Sequence, residues 1–454
     1  MKMRTIILLK IQNKICKVKR MSEKFQAPRG TRDFLPEEMI KREFVINKLK
    51  KIFESYGFSP IETPAFENFE LLAAKGGGGD AIKDQIYYFK DKNNRELGLR
   101  FDLTVPLARI VANNPQLSKP FKRYCIGRVW RYEEIRKDRF REFWQCDVDT
   151  VGSNNMESDT EVISVAVDSL QELGFKKFSV KLNNRKVLTG LIELVKISQE
   201  KRFDIFRAID KLDRFGRDVV EEELNKVGLT DEQIRKLLEL IALEGKPRDV
   251  IKKGENILKN IKIGMEGLKE LSEIVNFSKM YGFEDKIIVD FSLARGLDYY
   301  TGPIFEIIDT SGKNIGSLAG GGRYDNLIEI LGGRSTPATG ISLGIERIIE
   351  IMNQEKMFNL SKTNVKVYVA NVNEKVKIDA VKITKKLREN NISCQTDLMN
   401  RSLKNQLEFA DNMGIPFVLT VGEIELKSKK FKLKEMKTRK ESELTLDEII
   451  RKLQ

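Results

Sequence analysis

Residues Leu293 to Glu306, LARGLDYYTGPIFE, bring a guanidinium, carboxylates and two phenols into sequence that otherwise reads as sheet. Such groups could hold an anion and hydrogen-bond a polar ring. The apolar run Ile287-Ile288-Val289 precedes them, and Tyr300, Ile304 and Glu306 then alternate at period two, which predicts two strands joined through Arg295-Gly296. A plainer reading stays open on this stretch alone, with Tyr299 and Tyr300 as core aromatics and Arg295 as a surface cation.

Three more polar clusters interrupt strand-like sequence: Arg100 to Thr104; Arg128 to Glu133, continuing from Arg139 to Asp149; and Gly340 to Arg347. The chain has no histidine, which excludes Ser-His-Asp hydrolysis, HExxH metalloproteases and most catalytic zinc sites. Chemistry that works by positioning and charge stabilisation, such as phosphoryl or nucleotidyl transfer, passes that filter.

The elements that must position these groups are legible from periodicity. After Pro36, residues Ile40, Phe44, Leu49, Phe53 and Tyr56 keep a helical stripe that stops at Gly57. The run Gly76 to Gly79 has no following Gly-Lys-Ser/Thr and is expected to be a flexible loop rather than a phosphate loop. Alternation at Ile86 to Phe89, Leu97 to Phe101 and Val129 to Val148 predicts antiparallel strands. From about Lys186 to Asn276 the texture becomes charged and helical, with stripes Ile205/Ile209/Leu212 and Ile234/Leu237/Leu238/Ile241 and a capping box at Thr230 and Gln233. Sheet returns at Lys286, and a polar linker spans Asn353 to Asn364. A strand-helix-strand-helix-strand order follows, predicting a small α/β domain with parallel strands. The expected division is a basic extension (1–21), a main domain in two parts (22–185 and 277–355), a helical insertion (186–276), and a linker with a C-terminal domain (356–454).

At 454 residues with 41% hydrophobic and 33% charged residues, the chain has ordinary globular composition. Its net charge is +14, and residues 1 to 24 hold eight Lys or Arg against one acid. Residues 1 to 20 read as a disordered basic extension or as sequence upstream of a true start at Met21. Eight cations fall between Lys427 and Lys440. Such local basic patches fit contact with RNA or DNA; for the lysine-rich run a solvated hairpin is an equal alternative. Cys16, Cys125, Cys146 and Cys394 lie far apart without a CxxC pair, so a reducing compartment is expected. No apolar run approaches a membrane span, and the cytoplasm is the expected location.

Taken together, the four clusters resemble histidyl-tRNA synthetase, a class II aminoacyl-tRNA synthetase family, from about Phe25 to the end. Gly57-Phe58 to Pro64 resembles class II motif 1, Arg131-Tyr132-Glu133 with its loop to Gln145 motif 2, and Gly340 to Arg347 motif 3. The histidine-specific part is LARGLDYYTGPIFE together with Ala319 to Asp325, AGGGRYD. The resemblance implies an α+β fold, an antiparallel sheet flanked by helices, with a helical insertion and a C-terminal anticodon-binding domain. It also implies a homodimer and the substrates L-histidine, ATP with Mg²⁺, and histidine tRNA. Asp102 and Asp149 stand where bacterial members carry glutamate, and the shorter aspartate resembles the archaeal and eukaryotic branch.

By the same resemblance Arg131 and Arg295 face the α-phosphate and Arg347 the γ-phosphate. Glu133 lies by the adenine-bearing end, Phe143 stacks on the base, and Arg139 lies on the motif 2 loop beside the triphosphate. Arginine suits this work because its planar fork pairs with phosphate oxygens and keeps its proton. Asp102, Thr104 and Gln145 match positions that hold the α-amino group; Asp149 and Tyr300 match those that grip the ring nitrogens, with Tyr299 and Tyr324 close by. Arg401, leading the segment Ser402 to Gly414, is the expected tRNA contact of the C-terminal domain, and the helical insertion is expected to clamp the acceptor arm. The rival reading is a regulatory paralogue from histidine biosynthesis, which usually lacks the extra domain and has a degraded set of ATP arginines.

Overall fold

The computed structural model describes residues 26–74, 84–134, 140–294, 299–312 and 316–454. Arg139, Arg295, Gly76 to Gly79 and the expected basic extension to residue 21 lie outside them. Two compact units divide the chain, one containing residues 45–354 and the other residues 34–44 and 355–454.

Helix α1 (Pro36–Ser55) opens with proline at a position whose free N–H would be unsatisfied anyway. In the first unit it buries Leu49 and Phe53 of the predicted stripe completely, with Val45, which lies off that stripe, beside them, each contributing about 1.5–3 kcal/mol. The helix stops because Gly57 takes φ +78°, where a side chain would be strained. The Phe58 amide then reaches back to the Phe53 carbonyl at 3.0 Å, closing a Schellman-type end.

The elements that follow are β1 (Ser59–Pro60), β2 (Phe66–Asn68), α2 (Phe69–Ala73), β3 (Tyr88–Lys90), β4 (Glu96–Leu99) and α3 (Thr104–Asn113). Two ten-residue strands come next, β5 (Phe121–Trp130) and β6 (Glu142–Val151), then α4 (Met156–Glu172), β7 (Phe178–Asn184) and α5 (Arg185–Leu194). A helical series continues with α6 (Arg202–Ile209), α7 (Leu212–Phe215), α8 (Arg217–Lys226), α9 (Asp231–Ile241), α10 (Pro247–Leu258) and α11 (Lys262–Met280). The unit closes with β8 (Ile287–Val289), β9 (Pro303–Asp309), β10 (Ser317–Arg323), α12 (Leu327–Ile330), β11 (Ala338–Gly344) and α13 (Ile345–Gln354).

Eight strands form the main sheet in the order β1-β5-β6-β11-β10-β9-β7-β8, and β2-β4-β3 form a small sheet of their own. All pairs in the main sheet are antiparallel except β1 with β5 and β7 with β8 at the edges. Antiparallel sheet with helices on it is the α+β architecture expected from the sequence. One local expectation fails: β9 starts only at Pro303, so Tyr300 precedes the strand instead of alternating within it. The loop it occupies is tied to β10 by the Thr301 amide donating to the Arg323 carbonyl at 2.8 Å.

In the helical series the Thr230–Gln233 capping box forms and α9 buries Ile234, Leu237, Leu238 and Ile241. The predicted stripe Ile205/Ile209/Leu212 is broken: Ile209 ends α6 and Leu212 begins α7. The first and last helices of the series, α5 and α11, pack on each other, and α11 also packs on α4 and β7.

The second unit has β12 (Val367–Asn371), α14 (Lys377–Glu389), β13 (Cys394–Thr396), α15 (Leu403–Asn412), β14 (Phe417–Val421), α16 (Glu423–Ser428), β15 (Phe431–Glu435), β16 (Glu441–Leu444) and α17 (Leu446–Leu453). Its sheet runs β13-β12-β14-β15-β16, parallel across the first three and antiparallel across the last two. The lysine-rich segment supplies that antiparallel hairpin, with Phe431 and Leu433 in the core and Lys432 outside.

Candidate functional site

Period-two alternation puts Gln145, Asp147 and Asp149 on one face of β6. Opposite them on β11 stand Gly344, Ser342 and Gly340, and opposite on β5 Gly127, Cys125 and Arg123. The small residues of β11 and the glycines of β10 leave space over this face. A cleft of about 470 Å³ results, and of the expected residues Asp102, Thr104, Arg131, Glu133, Phe143, Gln145, Asp149, Tyr299, Tyr300, Tyr324 and Arg347 all line it.

At one end stand the two described arginines. Arg131, just past β5, donates from Nε to the Phe101 carbonyl at 2.9 Å, and its guanidinium sits 5.3 Å from the Phe143 ring centre. Arg347 in the first turn of α13 donates to the Ser317 carbonyl at 2.9 Å. Its neighbour Glu346 accepts from the Trp144 amide at 3.2 Å, fastening α13 to β6. These contacts hold two permanent cations at a cleft wall, a suitable arrangement for a polyphosphate.

Where α3 begins, Asp102 Oδ1 accepts from the Val105 amide at 3.0 Å and the Tyr299 hydroxyl points at Oδ2 at 3.4 Å. Burial pushes the Asp102 carboxyl up to about 6, against the lowering effect of that amide and of Arg131. Gln145 donates to the Ser342 hydroxyl at 2.9 Å. The Asp102 carboxyl and the Gln145 amide therefore lie on the same cleft as the two arginines, with acceptor oxygens suited to a cationic group.

At the opposite end the rings of Tyr299 and Tyr300 meet edge-on with centres 4.9 Å apart, and Tyr324 stands 5.8 Å from Tyr299. Tyr324 donates to Asp149 Oδ1. The other Asp149 oxygen is 2.7 Å from Arg123 Nη2, and both side chains are buried. Burial first, then the charges of Asp147 and Asp149, hold the Tyr300 phenol well above its ordinary range, so it stays a neutral hydroxyl.

Several groups escaped the reading of the sequence. Asp147 shares the face of Gln145 and Asp149, a signal available from alternation in QCDVD. Arg123, the partner of Asp149, has no such local signal, because strand register decides which residue stands opposite. Asp210, directly after α6, also lines the cleft, which brings the helical series to its border. Two signature arginines prove structural: Arg323 is buried in an ion pair with Asp159, and Arg100 donates to the Thr63 and Arg128 carbonyls.

In the second unit Arg401 is half-buried. Its amide donates to Asp397 Oδ2 at 2.8 Å and its guanidinium lies 4.3 Å from the Phe409 ring centre. Gln406 takes the Arg401 carbonyl at 2.8 Å and fixes the turn into α15.

Comparison with known proteins adds the following. A sequence model of the family described as histidyl-tRNA synthetase matches residues 30–348, and one described as anticodon binding domain matches residues 366–454. The histidine–tRNA ligase of Korarchaeum cryptofilum is 43% identical over 398 residues, 87% of this chain and 91% of that protein. That of Clostridium tetani is 38% identical over 432 residues, 93% of this chain and 96% of that protein. The crystal structure of histidyl-tRNA synthetase from Nostoc sp. PCC 7120 superposes with a TM-score of 0.81 at 31% identity, covering 94% of this chain and 99% of that one. The apo enzyme from S. aureus gives 0.68 at 26% identity, covering 94% and 99%.

Proposed function

The chain belongs to the histidyl-tRNA synthetase family, and on that premise we propose that its cleft joins L-histidine to ATP as histidyl-adenylate and then passes the histidyl group to histidine tRNA. One observation carries the reading: side chains from separate segments line a single cleft, with arginines at one end, ammonium acceptors beside them and a phenol–carboxylate pair at the other.

In the first step a carboxylate oxygen of histidine attacks the α-phosphorus, and the bond to the bridging oxygen breaks to release pyrophosphate. Negative charge spreads over the α-phosphate as this happens, and Arg131 and Arg295 are its donors in this account, with Arg347 and Arg139 toward the leaving phosphates. Mg²⁺ enters as part of the nucleotide substrate. Glu133 and Phe143 receive the adenine end. Asp102, Thr104 and Gln145 hold the α-ammonium, and Asp149, Tyr300 and Tyr324 form the ring subsite. A site built to hydrogen-bond a ring leaves its own polar groups unmatched against an apolar analogue, worth about 10⁴-fold discrimination or more.

In the second step the terminal 3′-hydroxyl of the tRNA attacks the adenylate carbonyl and AMP departs. The chain offers no imidazole, so a phosphate oxygen of the adenylate takes the hydroxyl proton. Arg401 and the basic surface of the second unit contact the tRNA, and the helical series clamps its acceptor arm. A homodimer formed through α1 and β1 and a cytoplasmic location belong to the same proposal; β1 lies at an edge of the main sheet. The anticodon-binding match and the presence of Arg131 and Arg347 in the cleft favour this reading over the regulatory paralogue. Charging of histidine tRNA by the purified protein, with one AMP released per histidyl ester, tests it; adenylate formation without transfer would refute the second step.

A further inference from the structure

Asp147 lies on β6 between Gln145 and Asp149 and is 3% exposed. Its carboxylate lines the cleft, yet Oδ1 has no hydrogen-bond partner among the described residues. A buried acceptor left unmatched costs about 1–3 kcal/mol, and more when charged, so the ligand-free cleft presents Asp147 to an incoming donor.

The charges around it say which kind of donor. Arg123 and Cys125 face it from β5, Asp149 from its own strand, Ser342 from β11, Asp102 from the start of α3 and Tyr300 from the loop before β9. Arg123 is the cation opposite it on β5 and is paired with Asp149 at 2.7 Å, while Arg100, whose charge also reaches Asp147, donates to the Thr63 and Arg128 carbonyls. Asp149 also accepts from Tyr324. Asp147 is therefore a second carboxylate beside a guanidinium that is paired through Nη2 with the first, and burial with the nearby Asp149 raises its carboxyl to about 7 despite Arg123. A ring N–H answers both the open acceptor and the excess negative charge; an apolar ring answers neither.

We infer that Asp147 is a further specificity-determining residue, whose Oδ1 accepts a hydrogen bond from a ring N–H of the bound amino acid, while the Arg123–Asp149 pair braces the subsite. The inference rests on the reading of the cleft as a histidine site and deepens it.

The test compares the full-length protein with Asp147→Asn, and with Asp147→Ser in case the first does not fold. Histidine-dependent ATP–pyrophosphate exchange is measured alongside inhibition by thiazol-4-ylalanine, whose ring keeps a bare nitrogen but has no N–H. The expected result is a KM for histidine about 10- to 100-fold higher, the loss of one charge-assisted hydrogen bond, with the analogue's Ki within about threefold and the KM for ATP within about twofold. An unchanged KM for histidine, or equal weakening of histidine and the analogue, overturns the role of Asp147. Absence of histidine-dependent exchange in the unmodified protein would instead defeat the underlying reading of the site.

Discussion

Gly340 stands directly opposite Asp149 across the β11–β6 register, and a Cβ at Gly340 would lie 2.0 Å from Asp149 Oδ1. The carboxylate occupies the space that a side chain on β11 would fill. Gly340→Ala must therefore displace a group held by Arg123 and Tyr324. Overpacking of this kind costs about 1–3 kcal/mol of stability, and the KM for histidine is expected to rise at least about tenfold because the ring subsite is rearranged. Thermal unfolding and pyrophosphate exchange check both; a variant with unchanged histidine KM would separate Asp149 from ring recognition.

Tyr300→Phe removes one hydroxyl from the same subsite and leaves the ring packing against Tyr299. The KM for histidine should rise about 10- to 100-fold while the KM for ATP stays within about twofold. Steady-state exchange with each substrate varied in turn distinguishes this from a general loss, in which both constants would move together.

Arg131→Lys keeps the charge but loses the planar fork and its contact with the Phe101 carbonyl. The rate of adenylate formation should fall about 10²- to 10³-fold with little change in melting temperature. Single-turnover adenylation at saturating substrates is the measurement; a near-normal rate would remove Arg131 from the α-phosphate.

The Asp102 carboxyl titrates at about 6 in the ligand-free cleft because it is buried, whereas an ordinary aspartate titrates near 4. Between roughly pH 4 and 6 the folded chain keeps a proton that the unfolded chain has released, so this group lowers ligand-free stability as pH rises through that window. The α-ammonium of histidine needs the carboxylate. Affinity for histidine should then drop about tenfold per unit below pH 6. The ring of histidine also titrates, so the profile is compared with that of Asp102→Asn, which binds weakly but lacks the Asp102 component; identical slopes in the two proteins would contradict the assignment.

Arg401→Ala should raise the KM for tRNA and reduce the salt dependence of charging by about one phosphate contact. Histidine activation, which occurs in the other unit, should be unchanged. Charging rates across a salt series, set beside exchange rates, decide it.

Much of the site is legible in the sequence because its residues come in short dense clusters on strands. Gln145 and Asp149 share a face by alternation, and Arg131 directly follows the strand that pairs with theirs. What stayed hidden was set by register and by loops. Arg123 meets Asp149 only because β5 and β6 align them, and the Tyr299–Tyr300 loop mimicked a strand in its alternation although Thr301 binds β10 before β9 begins. Likewise Arg100 and Arg323 look like site residues in sequence, yet carbonyls and Asp159 engage them. A guanidinium's partner depends on the third dimension, and sequence gives only its charge.

The most direct test of the whole account is amino acid-dependent ATP–pyrophosphate exchange by the purified full-length protein, run with each of the twenty standard amino acids. L-histidine alone should support exchange, and Arg131→Lys should abolish most of it. Exchange supported by another amino acid, or by none, would contradict the claim that this cleft brings arginines and a ring subsite together to activate histidine.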